Sequence, residues 1–345
     1  MNSLERVKLT LQHQTADHVP VYPLINSISR KYLGIDYATW TQNTELCAES
    51  IIKATDLLNV DAVCSLVDLS VEAADFGQKI EYPKNRAAHP DSNNRRIKSI
   101  ADYKTIEPVN PRKTPRMSEH IRLCDKLVKA KGREKAIIGF VFAPLGVLSM
   151  LRGPQDIFMD VIDDPDAVHL ALEAVTKTLI EYTTALMETG IHAIMLDTLY
   201  ASQSIMSKQM WNSLEGPYVQ RLAEHIHAHD CMVMIHNCGN GIYFDVQIER
   251  MNPEAISFLH LPDDCRSFAE LKNKYGRKTT LIGHVDPSFL MSATAEQVEQ
   301  ECKKQIDAYK KDGGFILATG CEYPANAADD NAKVMVKTAQ TYGRY

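Results

Sequence analysis

Short apolar runs alternate with helix-length amphipathic stretches from one end of this chain to the other, and that alternation limits its fold more than any other feature. The runs are His18–Ile25, Asp61–Val67, Ala136–Ala143, His192–Asp197, Met232–His236, Ala255–His260, Thr279–Gly283 and Gly314–Thr319. Several are almost unbroken (VDAVCSLV, AIIGFVFAP, TTLIG), as parallel strands buried on both faces require. The segments between them carry helix punctuation. Asp164-Pro165 supplies an N-cap and first-turn residue for a helix that runs to Gly190. Thr294 and Gln297 form a capping box ahead of a helix that ends near Gly313. Strand and helix repeated eight times predict an α/β fold of the (β/α)8 TIM-barrel kind. A doubly wound open sheet accommodates the same count, but the short spacing in the C-terminal half favours the barrel.

One connection breaks the rhythm. Residues 69–135 are polar and proline-bearing around Pro83–Pro115, then helical from Ser118 to Lys131. A connection this long is usually functional, and it reads as an insertion over the barrel mouth. Residues 1–345 are therefore expected to form a single domain, with Leu4–Gln12 as a short N-terminal helix.

Composition narrows the function. A net charge of −6 and a pI near 6.1 argue against nucleic acid or an anionic membrane as partner. No apolar run reaches the roughly 20 residues of a membrane span, and the N-terminus has no signal-peptide core, so the cytoplasm is the expected location. The 8 cysteines show no repeated short spacing, which argues against a disulfide framework. A homo-oligomer is compatible with this composition.

Barrels of this kind place reactive groups at the carboxyl ends of the strands. Those ends read Asp68, then Asp197, then His236-Asn237-Cys238-Gly239-Asn240, then His260, Gly283-His284-Val285-Asp286-Pro287 and Gly320-Cys321-Glu322. His236 and Cys238 are two residues apart on an extended backbone, so they project the same way with Cα atoms about 6.6 Å apart. That spacing suits two ligands of one metal, and barrel closure can bring Cys321 to join them. One imidazole and two thiolates favour zinc. Three protein ligands leave a fourth position open, as in catalytic sites. Such a site stabilises a bound thiolate, whereas a free thiol near pKa ~8.5 is mostly protonated at neutral pH. Buried cysteines beside a core histidine are the competing interpretation.

The same residues carry a resemblance. The stretches VEAADFGQKIEYP at 71–83, DDPDAVHLALEAV at 163–175, MIHNCGN at 234–240, GHVDP at 283–287 and TGCEYPANAADDNAKVMVKTAQTYG at 319–343 are similar to the uroporphyrinogen decarboxylase superfamily. So are GPYVQRLAEHI at 216–226 and the opening ERVKLTLQHQTADHVPVYP at 5–23. Within it, the chain resembles the zinc-dependent methylcobalamin:coenzyme M methyltransferases. The resemblance implies Zn2+ on His236, Cys238 and Cys321, and a methyl group passed from a methylated corrinoid to a small thiol such as coenzyme M. The Asp-x-His-x-x-Gly string of corrinoid carriers does not occur here, so methylcobalamin or another corrinoid would arrive on a partner corrinoid protein. Ile25–Gly34 (INSISRKYLG) offers Arg30 but lacks the Arg-Gln-Ala-Gly-Arg signature of true decarboxylases, which argues against porphyrinogen decarboxylation. Two alternatives stand beside thiol methylation. In one, a small methylated donor passes its methyl group to a corrinoid protein. In the other, the chain is a non-catalytic corrinoid-binding protein.

Other residues receive supporting roles. Asp197 is expected to orient a ligand or substrate, or to cap its loop. His284 is expected to line the pocket, and Glu322 to complete the metal set when no thiol is bound. Asp68, Tyr200, Asn240 and Asp286 are assigned to the corrinoid side, with Asp286-Pro287 also a plain turn former. His225, His227 and His229 cannot share one helical face and read as surface residues.

Overall fold

The computed structural model describes all 345 residues. Seven parallel strands follow one another around the sheet in the order β1-β4-β5-β6-β7-β8-β9. They are β1 (Ala62–Cys64), β4 (Ala136–Phe142), β5 (Ala193–Asp197), β6 (Met232–Asn237), β7 (Ala255–Phe258), β8 (Thr280–Val285) and β9 (Phe315–Thr319). β2 (Ile80–Glu81) and β3 (His89–Pro90) form a separate antiparallel ribbon in the long connection.

The eighth position is filled without a regular strand, which corrects the expectation for His18–Ile25. Pro20 and Pro23 have no N–H to give, so a continuous ladder cannot form there. The segment instead makes isolated parallel bridges, Val21 to Leu317 and Leu24 to Glu322. The Leu317 amide donates to the Pro20 carbonyl (2.9 Å), and the Tyr22 amide to the Leu317 carbonyl (2.8 Å). On its other side the Asp61 amide donates to the Val21 carbonyl (2.9 Å), and the Asp61 carboxylate accepts from the Val21 amide (2.8 Å). The sheet is thereby closed into a barrel.

The period-two pattern of the strands separates two cores. Tyr22, Cys64, Ile138, Phe140, Met195, Met234, Ile282 and Ile316 fill the barrel interior, with Val7 and Leu11 of helix Ser3–Leu11 in the same cluster. Residues in alternation with these, such as Ile137, Val141, Ile194 and Val233, face the surrounding helices.

The predicted caps form. The Asp164 side chain accepts from the Ala167 amide (3.1 Å) at the start of helix Pro165–Met187, and Gly190, at φ +88°, closes the turn beyond it. Thr294 and Gln297 exchange both bonds of a capping box before helix Ala295–Tyr309. In the long connection, helix Pro115–Lys131 contributes Met117, Leu123 and Leu127 to the outer core. Its N-terminus is capped by the Asp75 carboxylate, which accepts from the Arg116 (3.0 Å) and Met117 (2.7 Å) amides. No helix is long and apolar enough to cross a membrane.

Candidate functional site

At the carboxyl end of the barrel the alternation that buries Met195 and Met234 continues by one step. It turns Asp197 and His236 toward the axis as the next inward layer, and in β7 it does the same for Ser257. These three are neighbours in register: Asp197 pairs with His236, and His236 with Ser257. The ring is tilted against Phe140, with centroids 6.4 Å apart. His236 Nδ1 lies 3.0 Å from the Ser257 hydroxyl, leaving Nε2 free to face the axis.

Beyond Asn237 the strand gives way to a bend at Gly239 and Asn240. Asn237 holds that bend: its side-chain amide donates to the Thr198 carbonyl (2.6 Å), while its oxygen accepts from the Gly239 amide (2.8 Å). Gly239 has to be glycine on steric grounds, since a Cβ there would lie 2.4 Å from Ser202 Oγ. Gly320 plays the same part before Cys321, where a Cβ would stand 2.7 Å from Leu259 Cα.

The result is a cluster. One ligand atom each from His236, Cys238 and Cys321 lies within 4.8 Å of the others. The two thiols titrate as a pair: the Cys238 S–H bond and the His236 ring hold Cys321 below the ordinary thiol range, and the same hydrogen bond pushes Cys238 up. Asp197 is 5% exposed and its Oδ1 has no hydrogen-bond partner. Burial lifts its carboxyl to about 7, opposed by the neighbouring His236 ring. A buried carboxylate with an idle oxygen beside two thiols and an imidazole is costly unless a cation or a donor completes it. The donor set fits zinc: two soft sulfurs and one nitrogen, with the nitrogen's far side already fixed by Ser257.

The other expected site residues scatter. The Glu322 carboxylate accepts from the Ser27 amide (2.7 Å) and is not one of the three converging groups. Burial raises its pKa. The His284 ring is packed among Phe258, Phe268 and Tyr309, at centroid distances of 5.0, 4.7 and 5.9 Å, in the layer between strands and helices. It is not brought to the mouth cluster, because that aromatic box absorbs it. Burial pushes its pKa down to about 4. Asp286 is exposed and caps Pro287–Leu290 by accepting from the Ser288 amide (2.7 Å). Tyr200 is buried against Phe158, with ring centroids 6.1 Å apart. Asn240 is exposed, its amide donating to Ser204 Oγ (3.2 Å). Asp68 is fully engaged: it pairs with Arg116 (2.7 Å) and accepts from the Thr41 hydroxyl (2.5 Å) and the Ser70 amide (2.7 Å). Such a carboxylate pins three segments together. His225 contacts Thr184, His227 contacts Glu254, and His229 is exposed.

Ser257 and Asn237 were not singled out in the sequence. Ser257 was signalled only as a lone hydroxyl in phase with Ala255 on a strand beside His236. Asn237 stood between two ligands without a role.

Residues 2–342 match the sequence profile described as Uroporphyrinogen decarboxylase (URO-D). The chain belongs to the uroporphyrinogen decarboxylase family. It is 22% identical over 345 residues to a uroporphyrinogen decarboxylase of Vesicomyosocius okutanii, covering 98% of this chain and 95% of the relative. It is also 22% identical over 330 residues to a methylated-thiol–coenzyme M methyltransferase of Methanosarcina mazei, covering 94% of this chain and 85% of that protein. The solved structure of a methyltransferase from Methanosarcina mazei superposes with a TM-score of 0.86 at 20% identity, covering 99% of each chain. This family member thus shares its barrel with a methyltransferase.

Proposed function

We propose that this protein is a zinc-dependent methyltransferase, which passes a methyl group from a methylated corrinoid, delivered on a partner protein, to a small thiol such as coenzyme M. The observation that carries this reading is the convergence of His236, Cys238 and Cys321 beside the unpartnered oxygen of Asp197. The relation to a coenzyme M methyltransferase supports it. A zinc ion held by those three residues would supply a thiolate at neutral pH and leave a position for the acceptor.

The chain's own residues define the rest. Ser257 fixes the His236 tautomer and ring plane. Asn237 and Gly239 set the angle between His236 and Cys238. Phe140, Met195 and Met234 lie in the apolar interior one layer below, which keeps water from the axial side. Asp197, whose Oδ1 is without a partner, would hold or orient a proton on an incoming group. In the transfer a sulfur–carbon bond forms and the carbon–cobalt bond breaks, with its electron pair staying on the corrinoid and the thiol proton released to solvent.

Elemental analysis of the purified chain should find about one zinc per chain, lowered by Cys238→Ser or Cys321→Ser. Methylcobalamin and a panel of thiols should then give the spectrum of the reduced corrinoid with one thiol. A change seen only with methylated donors and reduced corrinoid would replace this reading by transfer to the corrinoid. Loss of carboxyl groups from uroporphyrinogen would replace it by decarboxylation, and wild-type protein without metal would remove its basis.

A further inference from the structure

Helix Pro154–Asp163 carries apolar side chains on a face that nothing covers. Met159 is 59% exposed and Ile162 is 69% exposed, although Ile157 on the same helix is buried. The helix lies in the connection between β4 and β5, with Phe158 against Tyr200 just past the end of β5. Helix Lys208–Leu214 follows β5 in the same way. Between the two runs a groove of about 400 Å³ lined by Val161, Ile162, Pro165, Met210 and Leu214. Both walls precede the helices that return along the barrel, so the groove sits at the end that holds His236, Cys238 and Cys321.

The charge left uncompensated around it is acidic: Asp156 and Asp160 pair with Arg152 and Glu173 with Arg221, whereas Asp163 and Asp166 make no ion pair. Between Gly153 and Thr176 there are 5 aspartates and 1 glutamate, and no lysine or arginine. Asp156, Asp163 and Asp166 are exposed. The nearest lysine on the opposite wall, Lys208, is bound to Asp245 (2.7 Å) and Asp263 (2.9 Å). An exposed apolar strip rimmed by carboxylates marks an interaction surface. It also selects what can occupy it: a second copy of the same face would set aspartates against aspartates, and anionic lipid would be repelled.

We propose that this groove is a docking surface for a protein that presents apolar side chains fringed by lysine or arginine. This deepens the methyl-transfer reading and rests on it for the partner's cargo: the corrinoid carrier would seat here beside the metal-ligating cluster.

The test uses the full chain and two labelled synthetic amphipathic helices with the same leucine seam, one flanked by lysine and one by glutamate. Fluorescence anisotropy should show the lysine peptide bound about tenfold or more tightly than the glutamate peptide at low salt, the gap narrowing as salt rises. Met159→Ser with Ile162→Ser should abolish binding, Asp163→Lys with Asp166→Lys should reverse the preference, and Leu57→Ser, far along the chain on another exposed helix face, should change nothing. Equal binding of both peptides, or binding that survives the serine pair, would overturn the proposal. So would binding to phosphatidylglycerol vesicles, or a wild-type dimer in sedimentation velocity that the serine pair dissolves. Transfer from free methylcobalamin needs no carrier, so its failure would count against the methyl-transfer reading and leave the peptide result standing.

Discussion

Ser257 and His236 stand side by side in register on β7 and β6, and the serine hydroxyl lies 3.0 Å from His236 Nδ1. That contact decides which ring nitrogen faces the two cysteines. Ser257→Ala should leave the fold intact and weaken zinc retention by roughly 10–100-fold, read by competition with a chelator. Unchanged retention would show that the ring needs no such support.

Asn237→Ala tests the turn between the two nearest candidate ligands. It would strip the Gly239 amide of its acceptor and leave the buried Thr198 carbonyl with the Ala201 amide alone as donor. The expected loss is about 1–3 kcal/mol in urea unfolding, accompanied by lower zinc content.

Gly239→Ala should be destabilising, because its methyl would meet Ser202 Oγ at 2.4 Å and Ser202 Cβ at 2.7 Å. Ser202→Gly in the same chain should recover part of that loss, and a double-mutant cycle on thermal melts measures the coupling. Additive effects would place the strain elsewhere.

Asp68→Asn should cost about 1.5–3 kcal/mol, since Arg116 would lose a charged hydrogen bond and keep only Glu119 as its ion-pair partner. Denaturant melts check the magnitude. Corrinoid affinity should follow folded fraction alone, because both Asp68 oxygens are already engaged by Thr41, Ser70 and Arg116.

Glu72 gives a pH dependence away from the site. Burial lifts its carboxyl from 4.5 to about 8, against the Phe142 amide that donates to Oε1 (3.0 Å). The folded state therefore keeps a proton that the unfolded state has already lost. This contribution to stability is whole below about pH 4.5 and disappears as pH rises through about 8. Glu72→Gln keeps an acceptor and removes the titration, so its unfolding free energy should fall less between those limits than that of the wild type. Parallel slopes would refute the assignment.

The barrel was legible because buried parallel strands leave long apolar words, and those words mark seven of the strands within a few residues. The eighth was legible as a position only: Pro20 and Pro23 forbid a ladder, though Val21 and Leu24 still bridge to the last strand and the residues beyond it. At the mouth, His236 and Cys238 could be paired from extended-chain geometry alone, and Cys321 from its place after β9. Side-chain direction at a strand end was not legible. His284 is the penultimate residue of β8 as His236 is of β6, yet a box of three aromatic rings claims it. Asp68 looked available because nothing in the sequence announces a distant Arg116. Ser257 was invisible for the opposite reason: a small hydroxyl in a strand leaves no periodic trace, and its meaning comes from the neighbouring strand.

The segment at Val21 is held by Leu317 on one flank and by Asp61 on the other, so the ring of strands is sealed only when the last of them has emerged. During synthesis the first part of the chain must wait, one edge unsatisfied, for a stretch made nearly three hundred residues later. Cys321 belongs to that final stretch. A growing chain therefore carries His236 and Cys238 well before Cys321, the last of the three residues that would hold a metal, has been made.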